Sequence, residues 1–377
     1  MASILATLRM AGLTLAALAV LDLAVAGFLS LGGALPGHAR IAAYFDYGRS
    51  VPGKLARWQR LPGVAGNLFD VSWRDHIAAQ SALDLAAEDA ARGPVVRSYG
   101  MSFVDRIVEA AAKADPGVRV DRHSGPAAPP NFTYALFHDD RASRRAGDIA
   151  VLGVLASSLH GMASLSNRSW VFEQPAPFTY PLYRPAPGGG LTQIDPLVET
   201  EDAERALADD PAAAAAWTAQ LAAHDANRTL VANGWPLLDR SPFARLVRRS
   251  LALDAAGDAR SAVLGDWTAG EPDGAAFPYA ETLRRIIVAF AETARSDGQV
   301  PVVLLVQDGQ PSPDLLALTR ATLAAHAVPY FATAEHVPPD TRDAFLSDSH
   351  FRPDIDAEFG RLFAAHLRRI RALPPNG

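Results

Sequence analysis

A serine and a distant histidine are the residues whose types best fit covalent chemistry. Ser102 follows Gly100-Met101, and His350 stands two residues after Asp348 near the C-terminus. A serine hydroxyl becomes a good nucleophile when a base lies beside it, and an imidazole suits that task at neutral pH. Residues two apart in an extended loop point the same way, so Asp348 is expected to orient the imidazole. These residues predict nucleophilic catalysis in which Ser102 attacks and His350 transfers the proton.

Such a reaction also needs hydrogen-bond donors for the oxyanion that forms at the attacked carbonyl. Ser102 is predicted to begin a helix, where backbone N–H groups have no intrahelical acceptor. Gly125 is the second predicted donor, although a glycine before a proline is also typical of a simple turn. The hydroxyl of Ser157 is the third. Ser102, Gly125 and Ser157 thus form the predicted oxyanion hole.

Two further residues are candidates for substrate binding. Asn131 follows Pro129-Pro130, where an asparagine either caps a helix or places its amide in the site. Tyr180 belongs to an aromatic stretch that would either stack on sugar rings at the rim or pack under neighbouring segments. The run 138–141 contains metal-ligand residue types without the spacing of a metal motif, so we predict neither a metal nor a cofactor.

The candidate residues fall in loops between alternating predicted strands and helices. Short apolar runs predict strands, and amphipathic segments with a 3.6-residue period predict helices. This alternation indicates an α/β fold: an open parallel sheet with helices on both faces, whose ligands lie at the C-terminal ends of the strands. The predicted strands are 94–98, one within 118–142, 149–155, 300–306 and 329–331, and the main helices are 104–114, 279–293, 313–326 and 354–370.

Two regions lie outside this alternation. Residues 183–275 are rich in Pro, Gly and Ala, with a charged helix near 200–223, so we predict a helical or irregular insertion in the main domain, 93–377. Residues 37–92 are predicted to form a juxtamembrane helical region. Within the insertion, the arginines are interpreted as a solvated helix face or, alternatively, as a contact for an acidic partner. They are Arg245, Arg248 and Arg249.

The N-terminal segment 1–36 is predicted to anchor the chain in a membrane. Residues 10–35 are almost all apolar and long enough for one helical span. Asp22 interrupts the run at a cost of roughly 2.5–3.5 kcal/mol, which neighbouring Leu, Val and Phe residues offset. Ala24-Val25-Ala26 keeps a cleaved signal peptide open as the alternative. Basic residues are more frequent after the span than before it, which by itself indicates a cytoplasmic domain.

The composition limits partners and chemistry. The 377 residues carry a formal net charge of -6 and include no cysteine. A phosphate backbone demands clustered Lys and Arg, so no nucleic-acid partner is predicted. The lack of cysteine excludes disulfides, thiolate metal sites and cysteine nucleophiles together.

The ordered blocks resemble the SGNH (GDSL-like) hydrolase superfamily. Gly100-Met101-Ser102-Phe103 looks like the family's nucleophile block, Gly125 like its second-block glycine and 153–157 like its third block. Asp348 and His350 look like its C-terminal acid–base block. The resemblance covers 93–181 and 279–370, and it implies a three-layer flavodoxin-like fold and ester chemistry.

The apolar N-terminus and the Asp-x-His-Phe spelling are similar to proteins that add or remove acetyl groups on bacterial exopolysaccharides. This resemblance implies a serine esterase or O-acyltransferase, a saccharide substrate and polysaccharide-assembly partners. It also implies a single-pass protein of the bacterial inner membrane with its domain facing the periplasm. Met101 stands where the family has an acid, and Ala156 or Ser157 where it has an oxyanion-donating asparagine. Because losing one donor lowers rates about 10²–10³-fold, a non-catalytic saccharide-binding or assembly subunit is the alternative.

Overall fold

The chain alternates between helices and strands in a computed structural model that describes residues 2–31, 37–60, 73–79, 94–268 and 277–370. Three helices precede the sheet: α1 (Ala2–Ser30), α2 (His38–Asp46) and α3 (Val51–Arg60). The later elements are β1 (Val95–Gly100), α4 (Ser102–Ala114), β2 (Arg119–Ser124), α5 (Pro130–Asp139), β3 (Ile149–Leu155), β4 (Leu182–Pro185), β5 (Leu191–Ile194), α6 (Glu201–Ala206), α7 (Pro211–His224), α8 (Leu230–Asn233), α9 (Pro242–Thr268), α10 (Tyr279–Ser296), β6 (Val300–Val306), α11 (Leu315–Ala325), β7 (Tyr330–Ala332) and α12 (Pro353–Arg369).

The central sheet has five parallel strands in the order β2-β1-β3-β6-β7. β1 and β3 are buried along their whole length, and β6 is buried except at its first residue. Their Val, Ile and Leu runs are typical of strands covered by helices on both faces. The predicted α/β class with a central parallel sheet is confirmed. The chain passes from β1 out to β2 and back across β1 to β3, so the strand order reverses between β1 and β3.

Two pairs of helices cover this sheet. α4 packs against α12, while α5 packs against α10 and β3. Right-handed crossovers that run in opposite directions across a sheet lie on opposite faces, which places α4 and α5 on different sides. Glycine allows the close approach of α4, because a Cβ at Gly153 would lie 2.4 Å from the Val104 side chain. The resulting layers position the loops at the C-terminal ends of the strands.

The insertion is more ordered than the sequence indicates. It contains the antiparallel hairpin β4–β5, which was not predicted, and the long helix α9. Trp217 and Leu221 of α7 pack into the main hydrophobic core. A second, smaller cluster joins α3 to the insertion through Trp58, Phe172 and Ala252. The region after α1 and the insertion are therefore packed against each other.

The interpretation of the insertion arginines as a solvated face is wrong. Arg245 and Arg248 are 8% and 5% exposed, and both bind Asp239: Arg245 Nε donates to its carbonyl oxygen at 2.6 Å, and Arg248 pairs with its carboxylate. Arg249 pairs with Glu173 at 2.6 Å. These guanidinium groups find acidic partners within the same chain, which a local charge pattern does not reveal.

Helix α1 is exposed along most of its length. Its segment Ile4–Ser30 is long and apolar enough to cross a membrane, by length and composition. Asp22, the acidic residue within it, is not left unpaired: its Oδ1 accepts a hydrogen bond at 2.9 Å from the backbone N–H of Phe243. That N–H belongs to the first turn of α9, so Asp22 caps the N-terminus of a helix in the insertion.

Candidate active site

Ser102 and His350 meet at the C-terminal edge of the sheet, although 248 positions separate them in the chain. Ser102 Oγ lies 2.7 Å from His350 Nε2, which is hydrogen-bond distance. The imidazole stacks on the Phe103 ring with the centroids 4.6 Å apart, and Phe351 packs edge-on against the Phe103 ring. These aromatic side chains restrict the plane of the imidazole, whose Nε2 points at the Ser102 hydroxyl.

Asp348 contacts the other ring nitrogen in an arrangement that differs from the expectation. The loop is a tight turn with Ser349 at a φ of +70°, and not an extended segment. Asp348 Oδ2 lies 3.2 Å from His350 Nδ1, but the N–H direction does not meet hydrogen-bond geometry. The aligned bond runs instead from the His350 backbone N–H to Oδ1, and it lowers the pKa of Asp348. The Asp348 side chain is 60% exposed, so water screens its interaction with the ring.

Ser102 is the first residue of α4, as predicted. Its backbone N–H is among the first N–H groups of that helix, which have no intrahelical acceptor and favour negative charge. The preceding Met101 is extended and fully buried in the main core. An apolar side chain therefore fits the position where an acid was expected. At Gly100, a Cβ would lie 2.7 Å from the Val104 side chain, so glycine allows the end of β1 to pack closely against α4.

The predicted second oxyanion donor is already engaged. The Gly125 N–H donates to the Gly100 carbonyl at 3.2 Å, which extends the β1–β2 pairing beyond the strand ends. Glycine at this position has a packing reason, since a Cβ would lie 2.2 Å from the Phe132 ring. Ser157 lines the cavity and lies beside the carboxyl group of Asp308, without an aligned hydrogen bond to it. The structure thus leaves the N-terminus of α4 as the oxyanion-binding group it supports best.

The two predicted substrate-binding residues lie away from the cavity. Asn131 is fully buried in α5 and donates to the Pro181 carbonyl at 2.9 Å, so it neither caps the helix nor reaches the site. The Tyr180 hydroxyl, also fully buried, accepts from Trp170 Nε1 at 2.6 Å. Its ring stacks on Phe132. Both side chains hold the segment after β3 against α5, which is the packing alternative for Tyr180.

A cavity of about 730 Å³ opens beside the Ser102–His350 pair. Residues 76 and 77, from the region between α3 and β1, also line it. Two acids with buried carboxyl oxygens face this space. Asp105, in the first turn of α4, accepts a hydrogen bond from Ser124, and burial raises its pKa. Asp308 is 1% exposed, neither of its carboxyl oxygens has an aligned hydrogen bond, and burial raises its pKa as well.

Asp308 was not singled out from the sequence, although a usable signal exists. It stands two residues after the buried strand β6, on the same edge where the other candidates were found. Its raised pKa favours the neutral acid, which can donate a hydrogen bond, whereas a carboxylate would repel an oxyanion. The protonation state of Asp308 therefore bears on anion binding in the cavity.

A second cluster of polar side chains lies between the sheet and α5. Asp121, His123 and Asp140 are buried and close enough to hold a metal ion. The guanidinium of Arg97 already fills the place of a cation there, 2.8 Å from Asp121 and 3.2 Å from Asp140. A third carboxylate, Asp148, pairs with the same arginine at 3.0 Å. This network is a structural ion-pair cluster beneath the sheet edge.

A scan of the chain against protein-family models finds no match, and searches against curated proteins and solved structures find none either. The function is therefore argued from the geometry of the site.

Proposed function

We propose that this protein is a serine-dependent acyl-ester enzyme, an esterase or O-acyltransferase. The observation that carries the proposal is the 2.7 Å contact between Ser102 Oγ and His350 Nε2 at the mouth of a cavity. A hydroxyl paired with an imidazole at the N-terminus of a helix supplies a nucleophile, a base and an oxyanion-stabilising dipole in one place. Lone serines and surface histidines do not combine these three features.

The reaction follows from these contacts. Ser102 Oγ attacks the ester carbonyl carbon while His350 Nε2 takes the hydroxyl proton, and the oxyanion forms against the first N–H groups of α4. Collapse breaks the bond to the leaving alcohol, which receives the proton from the imidazolium, and leaves an acyl group on Ser102. Water or a second hydroxyl then attacks the acyl carbon, with His350 again as base. Collapse breaks the bond to Ser102 Oγ, which regains its proton from the imidazolium. Water gives hydrolysis, and an acceptor hydroxyl gives transfer.

The finer assignment rests on resemblance. The strand order β2-β1-β3-β6-β7 is that of flavodoxin-like sheets, in which ligands bind where the order reverses. Ser102 follows β1 at that point, which supports the SGNH-type interpretation. We further propose that the acyl group is acetyl and the substrate an exported saccharide. In this proposal α1 crosses the bacterial inner membrane once and the domain faces the periplasm, with polysaccharide-assembly proteins as partners.

The second candidate is a non-catalytic saccharide-binding or assembly subunit with the same fold. The observation that favours it is the loss of a predicted oxyanion donor, because the Gly125 N–H is used within the sheet. Saturable glycan binding without turnover or covalent labelling would select this candidate. Steady acyl-ester turnover that depends on Ser102 excludes it.

The test is hydrolysis of an activated acetyl ester by the full chain in detergent. We expect turnover by the wild-type protein and its loss in Ser102→Ala and His350→Ala. Ser296→Ala, at the exposed C-terminal end of α10, is the matched control and should retain the wild-type rate. Equal rates in Ser102→Ala and the control would overturn the proposal.

A further inference from the structure

Exposed large apolar side chains are concentrated in one part of the structure. Among the residues whose exposure the structure describes, and outside α1 and Leu31, such side chains that are two-fifths or more exposed fall in the segment 230–253 and in α2. Leu197 and Leu346 are the exceptions. We define the apolar patch by five positions of this segment. They are Trp235, Leu237 and Leu238 before α9, and Val247 and Leu251 within it, exposed by 58%, 74%, 48%, 60% and 51%.

The α9 part of the patch is one face of an amphipathic helix. Val247 and Leu251 are one turn apart and continue the line of Phe243. On the opposite side Arg245 and Arg248 are buried against the protein. Further along the exposed face, the apolar residues give way to Asp254 and Asp258, both exposed. The apolar stripe therefore ends about two turns beyond Phe243.

Hydrogen bonds to the rest of the protein hold the backbone of the loop part of the patch, and its side chains face outward. Arg248 donates to the Trp235 carbonyl at 2.9 Å. Asp239, which directly precedes Arg240, accepts from Ser50 N–H at 2.9 Å and from its hydroxyl at 2.8 Å. Trp235 itself has a φ of +47°, a conformation that non-glycine residues adopt only when their surroundings impose it. The backbone is anchored, while the side chains of the Trp-Pro-Leu-Leu tip are left exposed.

The patch is joined to α1 at a defined depth. Phe243, where the α9 stripe begins, donates its N–H to Asp22 of α1 at 2.9 Å. Asp22 lies about 12 Å along the helix axis from Ser30, at 1.5 Å per residue. α1 is longer than the hydrocarbon core of a bilayer, which is about 30 Å thick, and when centred it extends several Å beyond the core at each end. For an upright α1 centred in the bilayer, Asp22 lies about 5 Å inside the core boundary, the depth at which interfacial helices bury their apolar faces.

We propose that the apolar patch docks on the lipid bilayer that α1 crosses. Trp235 and the Leu237-Leu238 tip insert at the headgroup–acyl boundary, where tryptophan is enriched. α2 extends the same surface: it packs on both α1 and α9, and its Ile41 and Tyr44 are also exposed. The neighbouring Arg40 and Arg240 are exposed and suited to anionic headgroups. The domain is therefore fixed on the membrane surface, not suspended on a flexible linker. This inference depends on the span and not on catalysis.

The absence of cysteine makes single-cysteine labelling a direct test. The full chain carrying Leu237→Cys or Val247→Cys is labelled with an environment-sensitive fluorophore and reconstituted in phosphatidylcholine–phosphatidylglycerol vesicles. Leu197→Cys, an exposed apolar position outside the patch, is the matched control. We expect blue-shifted emission at positions 237 and 247, quenching by brominated lipids and protection from aqueous iodide. The control should show the reverse.

A second variant separates docking from anchoring. Leu237→Asp in the Val247→Cys background should reduce quenching by brominated lipids at position 247, while flotation with the vesicles, which α1 provides, is unchanged. Labels at 237 and 247 that behave like the label at 197 would overturn the proposal. A second result would also overturn the proposal: labels at 237 and 247 that are protected from both brominated lipids and iodide, with the protection lost when the protein is diluted in the vesicles. That result would assign the patch to a contact with a second copy of the chain.

Discussion

The weak contact between Asp348 and His350 leads to a quantitative prediction. In serine hydrolases with a buried, hydrogen-bonded aspartate, replacing it with asparagine lowers kcat by about 10⁴. Here the Asp348 side chain is 60% exposed, and its 3.2 Å approach to Nδ1 is not an aligned hydrogen bond. Exposed ion pairs contribute little, and Phe103 already fixes the imidazole plane. We therefore expect Asp348→Asn to lower kcat by a factor of about five or less.

The assay is steady-state hydrolysis of an activated acetyl ester by the full chain at low salt and near 1 M salt. At 1 M salt the screening length is about 3 Å, close to the 3.2 Å separation, so the free-energy difference between the wild type and Asp348→Asn should fall to roughly a third of its low-salt value. His350→Ala, measured in parallel, should lose activity at both salt concentrations. A 10³-fold loss in Asp348→Asn, independent of salt, would refute the reasoning. It would mean that Asp348 is buried and hydrogen-bonded to the ring during turnover.

Three further predictions concern stability and pH. Burial lowers the pKa of Lys54 to about 7, so the free energy of unfolding should rise between pH 7 and 10.5, by on the order of 5 kcal/mol. Lys54→Met should remove this rise in thermal unfolding, and an unchanged slope would contradict it. Because burial raises the pKa of Asp308, stability is lost as pH rises above the unfolded value near 3.8, and Asp308→Asn should be the more stable protein at pH 8. Equal melting temperatures at pH 8 would count against this assignment. Gly153→Ala should destabilise the protein by about 1–3 kcal/mol, because the added methyl group clashes with Val104. Gly257→Ala, in open space on α9, is the control and should not destabilise the protein. Equal melting temperatures for the two variants would be inconsistent with the packing described.

Much of the fold is predictable because the central strands carry a strong local signal. β3 and β6 have the predicted bounds, since continuous apolar runs are buried on both faces. The hairpin β4–β5 was missed because its strands are short and half exposed. The turn between them contains Gly188, Gly189 and Gly190, all with positive φ. Its antiparallel pairing depends on backbone partners that composition does not indicate.

The site was only partly predictable, for a related reason. The rule that loops after parallel strands share one edge brings Ser102 and His350 together, and it would also have located Asp308. Hydrogen-bond partners far away in the chain are not visible in local patterns. The Gly125 N–H was expected to be free but is used by Gly100, and the left-handed turn at Ser349 replaces the expected extended loop. Such non-glycine conformations are uncommon and depend on tertiary contacts.

The central claim is that the Ser102 hydroxyl, activated by His350, is the nucleophile. Its most direct test is reaction of the full chain with a fluorophosphonate, followed by mass spectrometry of the peptides. We predict one adduct on Ser102, formed much more slowly in His350→Ala and absent in Ser102→Ala. An adduct on another serine, or labelling at an equal rate in His350→Ala, would contradict the account.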